Sequence, residues 1–240
     1  MKTKYTLITF SFLCLSLFMS ANAQEKWSLG LEALARDEGV QVEGFPKHSS
    51  VTKMPMVGLR LGYEVSPGLH LESGFFFTRS VTVFRVWPGA YRNNVFSSLQ
   101  NFVIPIGLRY DFFNRGRFTL SARGGIVYRH LEKPAVFRFD YATNSIVNGN
   151  QYSTQEGDYF YEVTSHQLRK HQLSLQGGLE ASFRVSKHFE AALQANYTQG
   201  LGRFYETNVR YRKGQEAFQT TQSYTNGSGW NAGLSLRFRF

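Results

Sequence analysis

The sequence predicts an all-β fold: an eight-stranded, antiparallel, up-and-down transmembrane β-barrel with long extracellular hairpin loops. Three observations predict it. Eight stretches of about ten residues alternate apolar with polar side chains, the period of a strand that shows one face to oil and the other to water. The connections between these stretches alternate between short and long, as strands that cross a membrane back and forth require. The charges of neighbouring stretches fall on one common face, and the opposite face is mostly apolar.

The first stretch, Lys26 to Arg36, turns Trp27, Leu29, Leu31, Ala33 and Ala35 outward and Glu32 inward. The second, Met56 to Val65, places Val57, Leu59, Leu61, Tyr63 and Val65 outside and Arg60 and Glu64 inside. In the third, Leu69 to Ser80, Leu71, Phe75 and Phe77 face out while His70 and Glu72 face in. The fourth, Leu99 to Phe112, sends Phe102, Ile104, Ile106, Leu108, Tyr110 and Phe112 outward and Arg109 and Asp111 inward. Its Pro105 has no amide donor for a ladder, so it should mark a bulge or a local break in pairing.

The fifth, Arg117 to Leu131, faces Phe118, Leu120, Ala122, Ile126 and Tyr128 to lipid and Thr119, Ser121, Arg123 and Arg129 to the interior. The sixth, Gln172 to Val185, exposes Leu173, Leu175, Leu179, Ala181, Phe183 and Val185 and turns Glu180 and Arg184 inward. The seventh, Phe189 to Thr198, carries Glu190, Gln194 and Asn196 on its inner face. The eighth, Trp230 to Phe240, alternates without a break, with Leu234, Leu236, Phe238 and Phe240 opposite Arg237 and Arg239. An even count suits a closed barrel with both chain ends in the periplasm. A ten-strand barrel results instead if a loop hairpin joins the wall.

Three connections are short: Ser66-Pro67-Gly68, Phe113 to Gly116, and Ser186-Lys187-His188. Four are long: Asp37 to Lys53, Val81 to Ser98, Glu132 to Lys170, and Gln199 to Gly229. Keeping each face uniform across the short turns sets Val65 against Leu69, Phe112 against Phe118, Asp111 against Thr119, and Arg184 against Glu190. The third long loop reads as a hairpin of Ala135 to Tyr141 with Tyr159 to Thr164, turning at Asn148-Gly149. The fourth reads as Arg203 to Arg212 with Gln215 to Tyr224, turning at Lys213-Gly214.

The amino terminus predicts the compartment. Lys2 and Lys4, an apolar run from Tyr5 to Met19, and Ala21-Asn22-Ala23 have the order of a cleaved secretory signal peptide. The expected organisation is a leader over 1–23 and a barrel domain over 24–240. The one cysteine, Cys14, lies in the leader, so the mature chain has no disulfide and no thiolate metal site. The full chain carries a net charge of +10, of which the leader contributes two lysines and no acids. Export makes nucleic acid an unexpected partner for this basic chain. Anionic head groups and lipopolysaccharide phosphates fit it better.

The segment Phe102-Val103-Ile104-Pro105-Ile106-Gly107-Leu108-Arg109-Tyr110, the Gly-rich strands and the terminal Phe resemble the outer-membrane β-barrel domain family common in Bacteroidota, the OmpA-like and PorT-like small barrels. The resemblance covers essentially the whole mature chain. It implies an integral protein of the cell outer membrane, usually without an assigned reaction. It also implies that Phe238 and Phe240 belong to the signal read by the barrel-assembly machinery during insertion. The PorT-like branch is linked to type IX secretion, which adds envelope or secretion proteins as expected partners.

The interior is expected to hold a polar network of Arg60, Glu64, Glu72, Arg109, Arg123, Glu180, Arg184, Glu190, Arg237 and Arg239. Eight strands leave room for side chains but hardly for an open channel, so mixed charges there read as a plug. Arg138, Lys170, Arg203 and Arg212 in the outer loops are candidate lipopolysaccharide contacts, alongside loop cations such as Lys47 and Lys53, and loop aromatics such as Tyr141 could form a ligand platform. Rim pairs that could act on lipid are Ser165 with His166, His171 with Ser174, and His130 with Glu132. Sequence proximity alone builds no triad, and no catalytic, cofactor or metal residue is assigned. His166 with His171 makes a weak metal pair for want of a nearby acid cluster. The expected role is a structural or surface-interaction protein with a plugged interior. A secretion component and a rim-located lipid-modifying enzyme are the alternatives.

Overall fold

The computed structural model describes residues 26–39, 41–43, 49–51, 54–86, 93–132, 135–140, 145–149, 151–156 and 159–240. The expected leader, Lys47, Lys53 and Tyr141 lie outside them. In chain order the strands are β1 (Trp27–Glu38), β2 (Gln41–Glu43), β3 (Ser49–Val51), β4 (Met54–Ser66), β5 (Leu69–Val86) and β6 (Asn93–Arg115). Then come β7 (Phe118–Leu131), β8 (Ala135–Asp140), β9 (Ser145–Gly149), β10 (Gln151–Glu156) and β11 (Tyr159–Gln167). The last are β12 (His171–Arg184), β13 (Phe189–Gly200), β14 (Tyr205–Lys213), β15 (Gln219–Thr225) and β16 (Gly229–Arg239).

Eight of these strands form a closed wall in which every neighbour is antiparallel, in the order β1, β4, β5, β6, β7, β12, β13, β16 and back to β1. Closure uses the chain ends: Trp27 donates to the Phe240 carbonyl at 3.0 Å, and Phe240 donates back to Trp27 at 2.9 Å. No loop hairpin enters the wall, so the barrel has eight strands and not ten.

The two faces of the wall are solvated oppositely. Outward Leu193 and Leu236 are each 62% exposed, whereas Arg109 and Glu32 are at 1% and 0%. That inversion is stable only if hydrocarbon surrounds the wall. Aromatic pairs mark both ends of the apolar belt. At the turn end Trp27 packs tilted against Tyr63 (4.7 Å between ring centroids) and Phe189 against Phe238 (5.1 Å). At the loop end Tyr197 meets Trp230 (5.0 Å) and Phe77 meets Phe102 (5.2 Å). Such girdles sit at membrane–water boundaries because their rings tolerate both media.

Two short turns differ from the expected register. Ser66 pairs with Leu69 and Arg115 with Phe118 around two-residue turns, whose Gly68 and Gly116 have φ of 76° and 63°. Only glycine adopts such angles without a steric cost. These turns leave one residue too many on the preceding strand, and a β-bulge absorbs it at Val65 and again at Phe112. Asp111 therefore lies opposite Ser121 rather than Thr119, and Val65 has no partner in Leu69. Beyond each bulge the inward phase is restored. Across the third turn Arg184 lies opposite Glu190. Pro105 keeps its partner Val127 on β7, but pairing with β5 lapses between Ser73 and Phe76 and resumes without a register shift. The missing amide thus breaks the ladder locally and makes no bulge.

The loops build further sheet. β10, β11, β14, β15 and β2 form a five-stranded antiparallel sheet that unites three of the four long loops. β14 and β15 turn through Gly214, with Tyr211 opposite Gln219. The third long loop makes two hairpins instead of one. Ala135–Asp140 pairs with Ser145–Gly149, and Tyr159–Gln167 pairs with Gln151–Glu156. Asn148-Gly149 is therefore ladder, opposite Phe137 and Val136, and not a turn.

Candidate functional site

Alternation delivers three tiers of side chains into the lumen. Nearest the turns, the carboxylates Glu32, Glu72, Asp111, Glu180 and Glu190 meet the guanidiniums of Arg60, Arg109, Arg123, Arg237 and Arg239. Five charges of each sign make this tier neutral as a whole. Arg60 Nε lies 2.7 Å from Glu32 Oε1, and Arg237 Nη1 lies 2.6 Å from Glu190 Oε1. Glu180 is the hub. Its oxygens take Arg109 at 3.2 Å, Arg123 at 2.5 Å and Arg237 at 2.9 Å. Arg123 also donates to Gln194, and Arg239 to Glu190. His70 Nε2 and the Ser121 hydroxyl hold Asp111 at 3.1 and 2.7 Å. Charges can stay in such an interior because each has at least one opposite neighbour and most have two or three.

Above the ions lies an apolar tier of Leu34, Met56, Phe76, Val103 and Val127. Phe76 is fully buried, and its ring crosses inward glycines. A Cβ on Gly58 or Gly74 would come within 2.6 Å of it. The Arg60 guanidinium lies 5.3 Å from the Phe76 ring, joining the two tiers.

The third tier closes the loop end. Arg129 Nη1 contacts Glu38 Oε1 at 2.9 Å, and Arg36 contacts the same carboxylate at 3.4 Å. Arg36 also donates to the Gly227 carbonyl at 3.2 Å. Phe204, fully buried beside Leu131 and Tyr205, covers Arg129 with its ring at 5.3 Å. Gln172 donates to the Gly202 and Asn226 carbonyls, tying the fourth loop into the mouth. A cavity between the second and third tiers, bounded by Phe76, Pro105 and Arg129, measures about 10 Å³. That is room for about one water molecule.

The loop sheet carries a second constellation. Arg210 and Arg212 on β14 lie 4.7 and 4.8 Å from the ring of Phe218, and Arg212 lies 5.7 Å from Phe160. The two rings meet edge-on at 5.9 Å. Arg203 lies 3.5 Å above the Tyr224 ring. Arg210 pairs with Glu162 at 3.5 Å in a solvated setting. Tyr211 donates to Gln219 at 2.5 Å, and partial burial raises the pKa of its phenol.

Of the interior residues named from sequence, Arg60, Glu72, Arg109, Arg123, Glu180, Glu190, Arg237 and Arg239 meet in the ion tier. Glu64 and Arg184 do not. Glu64 accepts from the Gly68 amide at 3.2 Å in the turn, and Arg184 is half-buried at the same rim. Phe238 packs between Phe189 and Phe240. Among the loop cations, Lys170 is exposed and Arg203 and Arg212 stack as above, while the Arg138 side chain lies outside the described residues. The rim pair of His171 and Ser174 is excluded by phase: Ser174 is buried in the lumen and His171 points out. His171 faces His130, not His166. Sequence reading missed Arg36, Glu38, Phe76 and Phe204. Simple alternation from Leu34 and from Phe75 reaches the first three, but Phe204 lies in a loop without a phase to read.

The chain matches the outer membrane protein beta-barrel domain over residues 10–238, and it belongs to that family. The outer membrane protein OprG from Pseudomonas aeruginosa has a similar structure, with TM-score 0.56 and 10% identity over 90% of this chain and 95% of its own. A major outer membrane protein from Thermus thermophilus aligns at TM-score 0.45 and 11% identity, over 89% and 99% of the two chains. Neisserial surface protein A aligns at 0.42 and 10%, over 89% and 97%. Among curated proteins, none matches the sequence. The chain is thus an outer-membrane β-barrel protein, with its turns toward the periplasm and its loop sheet outside.

Proposed function

We propose that this barrel serves as a surface-interaction protein: its lumen is a permanent plug, and its loop sheet is the contact surface for anionic saccharide or phosphate groups of the kind lipopolysaccharide displays. The observation that carries the reading is the stack of Arg210 and Arg212 on Phe160 and Phe218. Aromatic faces hold the guanidiniums in place without using their N–H donors, which can turn to phosphate or carboxylate oxygens, as Arg210 Nη1 does to Glu162. The three filled tiers support the plug, and the cavity beside Phe76 has room for about one water. On this reading the protein catalyses no reaction.

The test is binding of purified, detergent-extracted protein to lipopolysaccharide. Wild type should bind in a salt-sensitive way, because exposed charges are screened within about 10 Å at 0.1 M salt. Arg210→Ala/Arg212→Ala should lose most of that binding while still folding. Unchanged binding by the double variant refutes the proposed surface. Steady conductance of wild type in planar bilayers refutes the plug. Loss of secreted cargo, or altered lipid A, on deletion of the protein would instead assign it to secretion or to lipid modification.

A further inference from the structure

We infer that His130 and His171 form a divalent transition-metal site on the outward face of the wall, at the loop-end aromatic girdle. The two residues are direct cross-strand partners on β7 and β12. Their Nδ1 atoms face each other at 3.4 Å, with ring centroids 5.0 Å apart. The Tyr128 hydroxyl reaches the same His171 Nδ1 at 2.6 Å.

This arrangement is poor for hydrogen bonding. A neutral imidazole nitrogen offers one lone pair or one proton, never two of either. If His171 Nδ1 accepts the Tyr128 proton, its lone pair is used. His130 Nδ1 then faces a nitrogen with nothing left to share. A metal ion between the rings resolves the conflict, since it takes a lone pair from each nitrogen. Two nitrogens about 2.05 Å from a tetrahedral ion are separated by roughly 3.4 Å, which is the separation found here. Tyr128 is then free to hydrogen-bond to a water or an anion on the ion's open side. The remaining coordination positions would be taken by water.

Imidazole pairs favour borderline ions such as Zn²⁺, Ni²⁺ and above all Cu²⁺. Among the described residues no three or more His, Cys, Asp or Glu side chains are placed to hold one metal ion, so the site is an open one. It spans the seam between two strands joined by the longest loop, so a bound ion would clip that seam.

The experiment uses full-length mature protein purified in detergent without a polyhistidine tag, freed of metal with a chelator, and titrated with Zn²⁺ by calorimetry and with Cu²⁺ by electron paramagnetic resonance. One ion per chain should bind, and the Cu²⁺ spectrum should show coupling to two nitrogens. His130→Asn and His171→Asn should each weaken binding by at least about tenfold, the scale of losing a group that supports a metal. His166→Asn should bind as wild type does. Heat-modifiable gel mobility verifies that each variant folds, and either one alone decides the outcome. No saturable binding by wild type, or undiminished binding in a folded His130 or His171 variant, overturns the site.

Discussion

The same chemistry occurs twice in this molecule under opposite conditions. In the lumen Glu180 gathers three arginines, and none of the four side chains is more than 6% exposed. In the loop sheet Arg210 pairs with Glu162 while half of the arginine side chain is in water. Removing a partner from a buried pair strands a charge in a medium that cannot solvate it. Removing one from an exposed pair hands the charge back to water. The lumen therefore uses ion pairs as structural filling, and the loop sheet uses arginines as contact groups. Three substitutions test this division, because each adds or removes charge in a different medium.

The largest effect belongs to Glu180→Gln. It keeps the volume of the hub but leaves Arg109, Arg123 and Arg237 sharing fewer carboxylates. Removing one partner of a buried pair costs about 3–5 kcal/mol. Urea unfolding in detergent micelles, followed by gel mobility, should show a midpoint far below that of wild type. A midpoint equal to wild type would mean that water reaches the ion tier and that the lumen is no plug.

Next comes Leu236→Lys, which puts a charge on the lipid face at a residue now 62% exposed. A lysine at the bilayer midplane costs about 2–4 kcal/mol, less near the interfaces. Its immediate neighbour Arg237 is tolerated because it points the other way, toward Glu180 and Glu190. Stability should fall when the protein is refolded into lipid vesicles. If Leu236→Lys refolds into vesicles with undiminished stability, that position does not face hydrocarbon.

This contrast between adjacent residues also shows what the sequence could disclose. Wherever the two faces differ in chemistry, as at Leu236 and Arg237, a period of two identifies wall and lumen without further information. At Phe75-Phe76-Phe77 three identical residues hide the inward member, and only the phase carried over from Glu72 reveals that Phe76 plugs the lumen. The bulges at Val65 and Phe112 were hidden because turn geometry, not composition, decides where the surplus residue goes. Least visible was the loop sheet. Gln222 opposite Glu43 and Phe160 opposite Arg212 join segments far apart in the chain, and no local signal encodes such pairings. The His130–His171 contact is of the same kind, since only the register of β7 against β12 brings those rings together.

The smallest effect is expected from Glu162→Gln in the loop sheet. It removes the exposed partner of Arg210, and exposed pairs contribute about 0–1 kcal/mol. Unfolding of the barrel should be indistinguishable from wild type. Binding of anionic saccharide should hold or strengthen, because Arg210 keeps its place over Phe218 and loses a competing carboxylate. Opposite signs in the two readouts, no loss of stability with a gain in binding, would separate contact arginines from structural ones. A marked loss of stability would show instead that the loop sheet depends on its ion pairs as the lumen does, and the division between the two regions would fail.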